Sequence, residues 1–301
     1  MPLSAYFKKA ALALALARGS KITLGEKTYR LKGFYVNTLA MKGKIEPAEP
    51  WLDAVYRTVL QCREGAFLDV GANVGQTMFK ILSLDSSRQY LGFEPQVPCC
   101  FLIQRFLEEN RIRNCAIFPI GLSNANGTVK LYLRGGDYDT TASTVANFRP
   151  DSFYTTHRYV CLRKGDELVS ELGVTSISTI KIDVEGAEVE VIEGLLSVIE
   201  EKTPFIIFEV LNHFLVVTGD KLDAQHIRFR ETRIEKMEAI LRTRGYEIFN
   251  IRADNCLAKI RSIAPGTTAD MSVTNYIAVS KADLDSFLRL FPGTVVDSQA
   301  E

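Results

Sequence analysis

Acidic residues stand where the apolar runs of this chain stop. Phe67-Leu-Asp69-Val-Gly71-Ala-Asn73-Val-Gly75 ends an apolar run in an acid and then opens into glycines. Tyr90-Leu-Gly-Phe-Glu94-Pro95, Ile180-Lys-Ile-Asp183-Val-Glu185-Gly-Ala-Glu188 and Pro204-Phe-Ile-Ile-Phe-Glu209 repeat the theme, and His213 follows the last of them. A carboxylate closing an apolar strand is costly to bury unless something pairs with it. Gly71 and Gly75 let backbone approach a ligand closely, and the helix start after them offers unpaired N–H groups. Asn73 occupies a turn position that suits φ > 0. Together these groups can hold a polar cofactor and take a proton from a second molecule.

The elements that carry them alternate. Strand-like runs cover Ala66–Val70, Tyr90–Phe93, Ala116–Ile120, Thr179–Val184 and Phe205–Val210. Helical patterns cover Gly75–Leu84, Cys99–Asn110 and Ala187–Ile199. Strands alternating with helices predict an α/β fold, a doubly wound, mostly parallel sheet with helices on both faces. Near-continuous apolar strands fit burial of both sheet faces. Gly245–Phe249 and Thr274–Val279 complete the sheet, the last strand antiparallel. Leu222–Arg244 reads as a long charged helix, and 4–18 and Trp51–Cys62 as helices flanking a hairpin around Gly25 and a loop at 38–50. Thr128–Leu133 and Arg158–Leu162 are extra β structure around a Gly-, Thr- and Ser-rich stretch. The segment Gly135–Thr156 is expected to act as a mobile lid.

In such a sheet, ligands bind where the C-terminal strand ends splay apart. Glu94, some twenty residues after the glycine turn, is placed to accept both hydroxyls of a ribose. A dinucleotide enzyme shares that feature, so an NAD-dependent dehydrogenase is one alternative. Its usual turn is Gly-x-Gly-x-x-Gly, with a helix N-terminus on the pyrophosphate. Here the middle glycine is absent and Asp69 lies two residues before Gly71. An acid so close suits a zwitterionic or cationic ligand better than phosphates. S-adenosylmethionine (SAM) has an amino-acid end, a sulfonium and no phosphate. A SAM- or nucleotide-binding module without turnover is the alternative from another class.

Asp69-Val-Gly-Ala-Asn-Val-Gly75, Glu94-Pro95, Leu122-Ser-Asn124 with Gly127, Ile180–Glu188 and Pro204–Glu209 together resemble the FkbM family of SAM-dependent methyltransferases. The resemblance runs over about residues 64–212, roughly half of the chain. It implies a class I (Rossmann-like) methyltransferase acting on a hydroxyl of a sugar, polyketide or other small molecule. Asp69, Gly71, Asn73 and Gly75 would line the methionine end of the cofactor, Glu94 the ribose, and Ser123 the adenine. The family commonly has Ser-Asp where this chain has Ser123-Asn124, and Asn124 offers its side-chain carbonyl instead. The implied division is a helical and hairpin extension (1–60), a SAM-binding domain (61–285) and a C-terminal tail (286–301).

For catalysis the sequence offers Asp183, Glu209 and His213 around the acceptor. Asp183 and Lys181 share a strand face. An imidazole titrates in the range useful for proton abstraction. Asp183 and Glu209 could instead hold a divalent ion such as Mg2+, which would lower the hydroxyl pKa. The residues leave both routes open.

Composition narrows the partners. Lys plus Arg and Asp plus Glu are 36 each, so nothing favours non-specific nucleic-acid binding. Six cysteines without metal-ligand spacing, mostly inside apolar runs, read as reduced thiols in a cytoplasmic protein. No run is long and apolar enough to span a membrane. Phe7–Ala17 imitates a secretory signal, but its apolar part is at the short limit. We read it as an Ala/Leu-rich helix packing on the domain or on a second copy, giving a homodimer. The expected partner is a small-molecule or carbohydrate acceptor.

Overall fold

The computed structural model describes residues 20–31, 49–213, 223–267 and 270–297. The expected helix at 4–18, its dimer contact and nearly all of the 38–50 loop lie outside them. A hairpin of β1 (Ser20–Leu24) and β2 (Lys27–Leu31) turns at Gly25, whose φ is 58°. After a 3-10 turn at Pro50–Leu52 comes α1 (Asp53–Cys62). Then β3 (Ala66–Val70), α2 (Gln76–Leu84), β4 (Tyr90–Phe93), α3 (Val97–Glu109) and β5 (Cys115–Phe118) follow in strict alternation. Three strands, β6 (Gly121–Ser123), β7 (Gly127–Leu133) and β8 (Thr156–Lys164), build a separate small sheet before α4 (Gly165–Glu171). Alternation resumes with β9 (Ile177–Ile182), α5 (Glu188–Gly194), α6 (Leu196–Lys202), β10 (Phe205–Glu209) and α7 (Ala224–Thr243). The chain closes with β11 (Tyr246–Arg252), β12 (Cys256–Lys259), β13 (Asn275–Ser280), α8 (Leu284–Leu290) and β14 (Thr294–Asp297).

The main sheet runs β5-β4-β3-β9-β10-β13-β11-β12-β14. Strands β5, β4, β3, β9 and β10 are parallel, and β13 runs antiparallel between β10 and β11. The doubly wound sheet and its antiparallel strand are as the alternation predicts. The stretch from residue 286 does not hang free. Phe287 and Phe291 are buried in the core, and β14 pairs with β12 at the sheet edge. The boundary expected at residue 285 therefore falls inside α8.

Period-2 alternation sorts the core. Leu68, Val70, Ile180, Ile182, Ile206 and Phe208 point to one face, against α4–α7. Phe67, Phe205, Ile207 and Ile277 point to the other, against α1–α3 and α8. Truncating one such fully buried side chain to Ala typically costs about 2–5 kcal/mol. The same alternation puts Asp69, Lys181, Asp183 and Glu209 on the α1–α3 face, at the strand ends. Register fixes the row: Asp69 lies opposite Lys181, and Glu209 opposite Asn275.

Candidate active site

A cavity of about 450 Å³ opens at the C-terminal ends of β3, β4, β9 and β10. One half of it is built from β3, β4 and the turns after them. Gly71 has φ of 90°, and a methyl group there would run into the carbonyl oxygen of Asp183. So Gly71 is required first by the close approach of β3 to the end of β9. Asn73 takes φ of 43°, as its turn position predicts. Glu94 is 4% exposed and accepts hydrogen bonds from the backbone N–H of Asn73 (2.9 Å) and of Gln96 (2.8 Å). Burial pushes its carboxyl up to about 7 in spite of those bonds. Beside it, Phe93, Pro95, Gly121, Leu122 and Leu162 form an apolar slot. Gly121 has no room for a side chain because Leu162 packs against it.

The other half collects acids from distant segments. Asp183 and Glu185 follow β9, and Glu209 ends β10. Carboxylate oxygens of these three all lie within 4.8 Å of one another. Burial, and then Asp183 and Glu185, hold the Glu209 carboxyl well above the usual range, while Thr274 donates to its Oε1 at 2.8 Å. Lys181, 4% exposed, donates from Nζ to Asp183 Oδ2 at 2.9 Å. Burial alone would lower the pKa of Lys181; the carboxylates of Asp183 and Asp69 more than reverse this. Glu49 joins the wall from the segment before α1. Lys80 Nζ holds its backbone carbonyl at 2.7 Å, and Asn275 donates to its Oε1 at 3.3 Å. Burial raises its carboxyl, against the pull of Lys181.

The loop between β7 and β8 covers the cavity and is well anchored. Asp139 organises its start by accepting from the backbone N–H of Arg134 and Thr141, at 2.6 and 2.9 Å. Gln96 and Asp139 exchange hydrogen bonds of 2.9 and 3.1 Å. Arg149 pairs with Glu185, and Ser143 donates to the Glu185 carbonyl at 2.7 Å. Phe148 and Phe153 are buried. The segment thus buries more than its polar first half suggests.

Of the residues proposed from sequence, the cavity wall gathers Gly71, Asn73, Glu94, Asp183 and Glu209. Asp69 is not on it. Its carboxylate lies beneath, bonded by the Tyr90 hydroxyl, with Oδ1 unpartnered and burial raising its pKa. Gly75 stands one step behind, as the left-handed cap of α2. Ser123 and Asn124 also fall outside, because β6 packs tightly on α5 at Gly194. The Asn124 amide donates to Glu193 at 2.9 Å, and Gly121 and Leu122 face the cavity instead. His213 is off the wall too. Its backbone N–H bonds the Gly266 carbonyl at 2.9 Å, and its buried ring has Nε2 3.8 Å from Glu231 and Nδ1 without a partner among the described residues. Burial and Arg230 lower its pKa. The sequence reading missed Glu49, Arg149 and Arg230 on the wall. Arg230 had a signal: it continues the buried helical spacing of Ile234, Met237 and Leu241.

These features suit SAM. The acid-rich wall matches a cation, the apolar slot matches a purine, and Glu94 lies beside that slot. A doubly wound sheet of this order, with its cavity at the C-terminal strand ends, is the fold of a class I SAM-dependent methyltransferase. Comparison narrows the class. The family described as "Methyltransferase FkbM domain" matches residues 69–248, more than half of the chain, and the chain belongs to that family. The AMB antimetabolite synthetase AmbE of Pseudomonas aeruginosa is 27% identical over 245 residues, covering 69% of this chain and 11% of that protein. The 2-O-methyltransferase NoeI of Sinorhizobium fredii is 27% identical over 148 residues, 46% of this chain and 60% of that one. The chain thus spans less than two thirds of either relative. Among solved structures, methyltransferase FkbM from Methylobacillus flagellatus is 16% identical with a TM-score of 0.44, covering 71% of this chain and 43% of that one. A putative caffeoyl-CoA O-methyltransferase from Staphylococcus aureus is 10% identical with a TM-score of 0.46, covering 91% and 99%. Among the described residues, no helix is long and apolar enough to cross a membrane.

Proposed function

We propose that this protein is an O-methyltransferase, acting on a hydroxyl of a small molecule such as a sugar or polyketide. The carrying observation is the convergence of Asp183 and Glu209 at adjacent strand ends, across the cavity from Glu94. The match to a 2-O-methyltransferase supports the reading. SAM, when bound, supplies an electrophilic methyl group. The protein's own work is to hold the acceptor oxygen in line with that group and to remove its proton.

Asp183 is the residue we assign to the proton. Lys181 holds it in place at 2.9 Å from beneath. Glu209, whose carboxyl is held well above the usual range by burial and by Asp183 and Glu185, lies beside Asp183 and can share a hydrogen bond with an acceptor oxygen. Glu94 and the turn at Gly71–Asn73 bind the cofactor's ribose and amino-acid ends. His213 lies outside this set.

A second reading is favoured by the closeness of the Asp183, Glu185 and Glu209 oxygens, which could accept a divalent ion. The pairing of Arg149 with Glu185 supports the metal-free reading, since it already compensates one of the three charges. Methyl transfer from SAM should be assayed on host metabolite extract, with products identified by mass spectrometry, before and after chelation. Methylation on oxygen that survives chelation is the expected result. Loss on chelation with recovery on Mg2+ selects the second reading, and methylation confined to nitrogen or carbon defeats the O-methyl assignment.

A further inference from the structure

The cavity wall carries two arginines in different states. Arg149 has its carboxylate, Glu185. Among the described residues Arg230 has none within ion-pairing distance, although its side chain is among the largest fully buried ones, at 2% exposure. One terminal nitrogen donates to the carbonyls of Leu211 (2.6 Å) and Asn212 (3.0 Å). Its Nε has no hydrogen-bond partner among the described residues. The guanidinium lies over the Phe148 ring at 4.6 Å. Burial, and then Arg149, lower its pKa to about 10, so it stays charged near neutral pH.

Glu188 and Glu185 act on Arg230 only from beyond ion-pairing distance; a buried cation so weakly compensated is costly, and Arg230 borders open space in the cavity. A planar guanidinium with unused donor capacity is matched by an anion. Position says whose anion it is. The carbonyls that Arg230 holds follow β10, two strands from β3 and so about 10 Å from the cofactor turn. Charge says which kind. Asp183 and Glu185 share this half of the wall, and they repel a dianion more than a monoanion.

We infer that Arg230 is an acceptor-specificity residue: the methylated hydroxyl belongs to a molecule that also carries a carboxylate, and that carboxylate docks on Arg230. The inference rests on the methyltransferase reading and adds a substrate class to it. Glu209 and Asp183 would then face the hydroxyl while Arg230 fixes the acid end.

The test is calorimetry on the full chain loaded with S-adenosylhomocysteine. Matched probes are titrated: glucuronate against glucuronamide, 4-hydroxybenzoate against 4-hydroxybenzamide, and glucose 6-phosphate as the phosphate arm. At least one carboxylate should bind about tenfold or more tighter than its amide, the scale of a charge-assisted hydrogen bond. Arg230→Gln should bring the pair to within a few-fold and leave S-adenosylhomocysteine affinity unchanged. Arg230→Lys, which keeps the charge without the fork, should retain part of the preference. The wild-type comparison stands even if Arg230→Gln fails to fold. No acid preference in any pair, a stronger preference for the phosphate, or loss of S-adenosylhomocysteine affinity in Arg230→Lys would overturn the assignment. Absence of S-adenosylhomocysteine binding to the wild type brings down the parent reading and this one together.

Discussion

The two halves of the cavity are assembled in opposite ways. The half we assign to the cofactor is built mainly from β3, β4 and the turns after them, with Gly121, Leu122 and Leu162 beside them, and its carboxylate Glu94 is bonded to backbone N–H groups at positions 73 and 96. The half we assign to the acceptor draws Glu49, Arg149, Asp183, Glu209 and Arg230 from five separated segments, and two of its carboxylates are held by ion pairs, Glu185 by Arg149 and Asp183 by Lys181. A local, backbone-held site keeps one geometry whatever surrounds it. A site made of distant side chains changes its ligand when any one of those segments changes. One cofactor combined with many acceptors follows naturally from that division.

The comparison breaks most visibly if chemistry and cofactor binding cannot be separated. Asp183→Asn should lower turnover by about 10²–10⁴-fold while SAM affinity stays within a few-fold. Equal losses in both would place Asp183 in the cofactor half. Arg149→Leu leaves Glu185, 15% exposed, without its partner, and should destabilise the fold by up to about 3–5 kcal/mol. Denaturant unfolding reads the stability, and hydrogen exchange should quicken through residues 134–155 more than in β3 and β4. A uniform rise in exchange would mean that the loop is not a separate unit.

Glu94→Ala should weaken SAM by about 1.5–3 kcal/mol, the worth of hydrogen bonds to a charged group. Unchanged affinity by calorimetry would refute the ribose assignment. The same residue carries a pH signature. Its folded pKa of about 7 lies above its unfolded value near 4.5, so the folded state binds the proton more tightly. Its contribution to stability is therefore complete below about pH 4.5 and is lost as pH rises through about 7. Glu94→Gln should flatten that part of the stability profile of the free protein. The smallest effect is expected from His213→Ala, with turnover within a few-fold, because His213 does not line the cavity. A hundredfold drop with normal SAM binding would extend the acceptor half beyond β10.

The same contrast explains what the sequence could reveal. β3 and β4 match their apolar runs residue for residue, and Gly71, Asn73 and Glu94 could be found because strand, turn and acid are contiguous. Asp183 and Glu209 were legible as acids closing apolar strands. Glu49 sits in an unremarkable Pro- and Glu-containing loop, and only the fold brings it to Asn275, 226 positions away. Arg149 lies in a stretch that reads as loop. Arg230 lies in a helix charged on most sides, where only its spacing with Ile234, Met237 and Leu241 marks the face that packs inward. Ser123 and Asn124 do not reach the cavity wall, since β6 packs on α5 at Gly194, a contact that no local pattern encodes.

The position of β13 bears on how this unit could be excised or grafted. The family match ends at residue 248, yet β13 (Asn275–Ser280) fills the slot between β10 and β11. A fragment cut at 69 and 248 would lose an interior strand, not a fringe, and would expose the hydrogen-bonding edge of β10 beside Glu209. It would also discard α1 and, with it, Glu49. The minimal transplantable cassette therefore runs from residue 49 or earlier through the end of β14. A shorter piece built to the borders of the match should come out insoluble, however complete its signature residues look on paper.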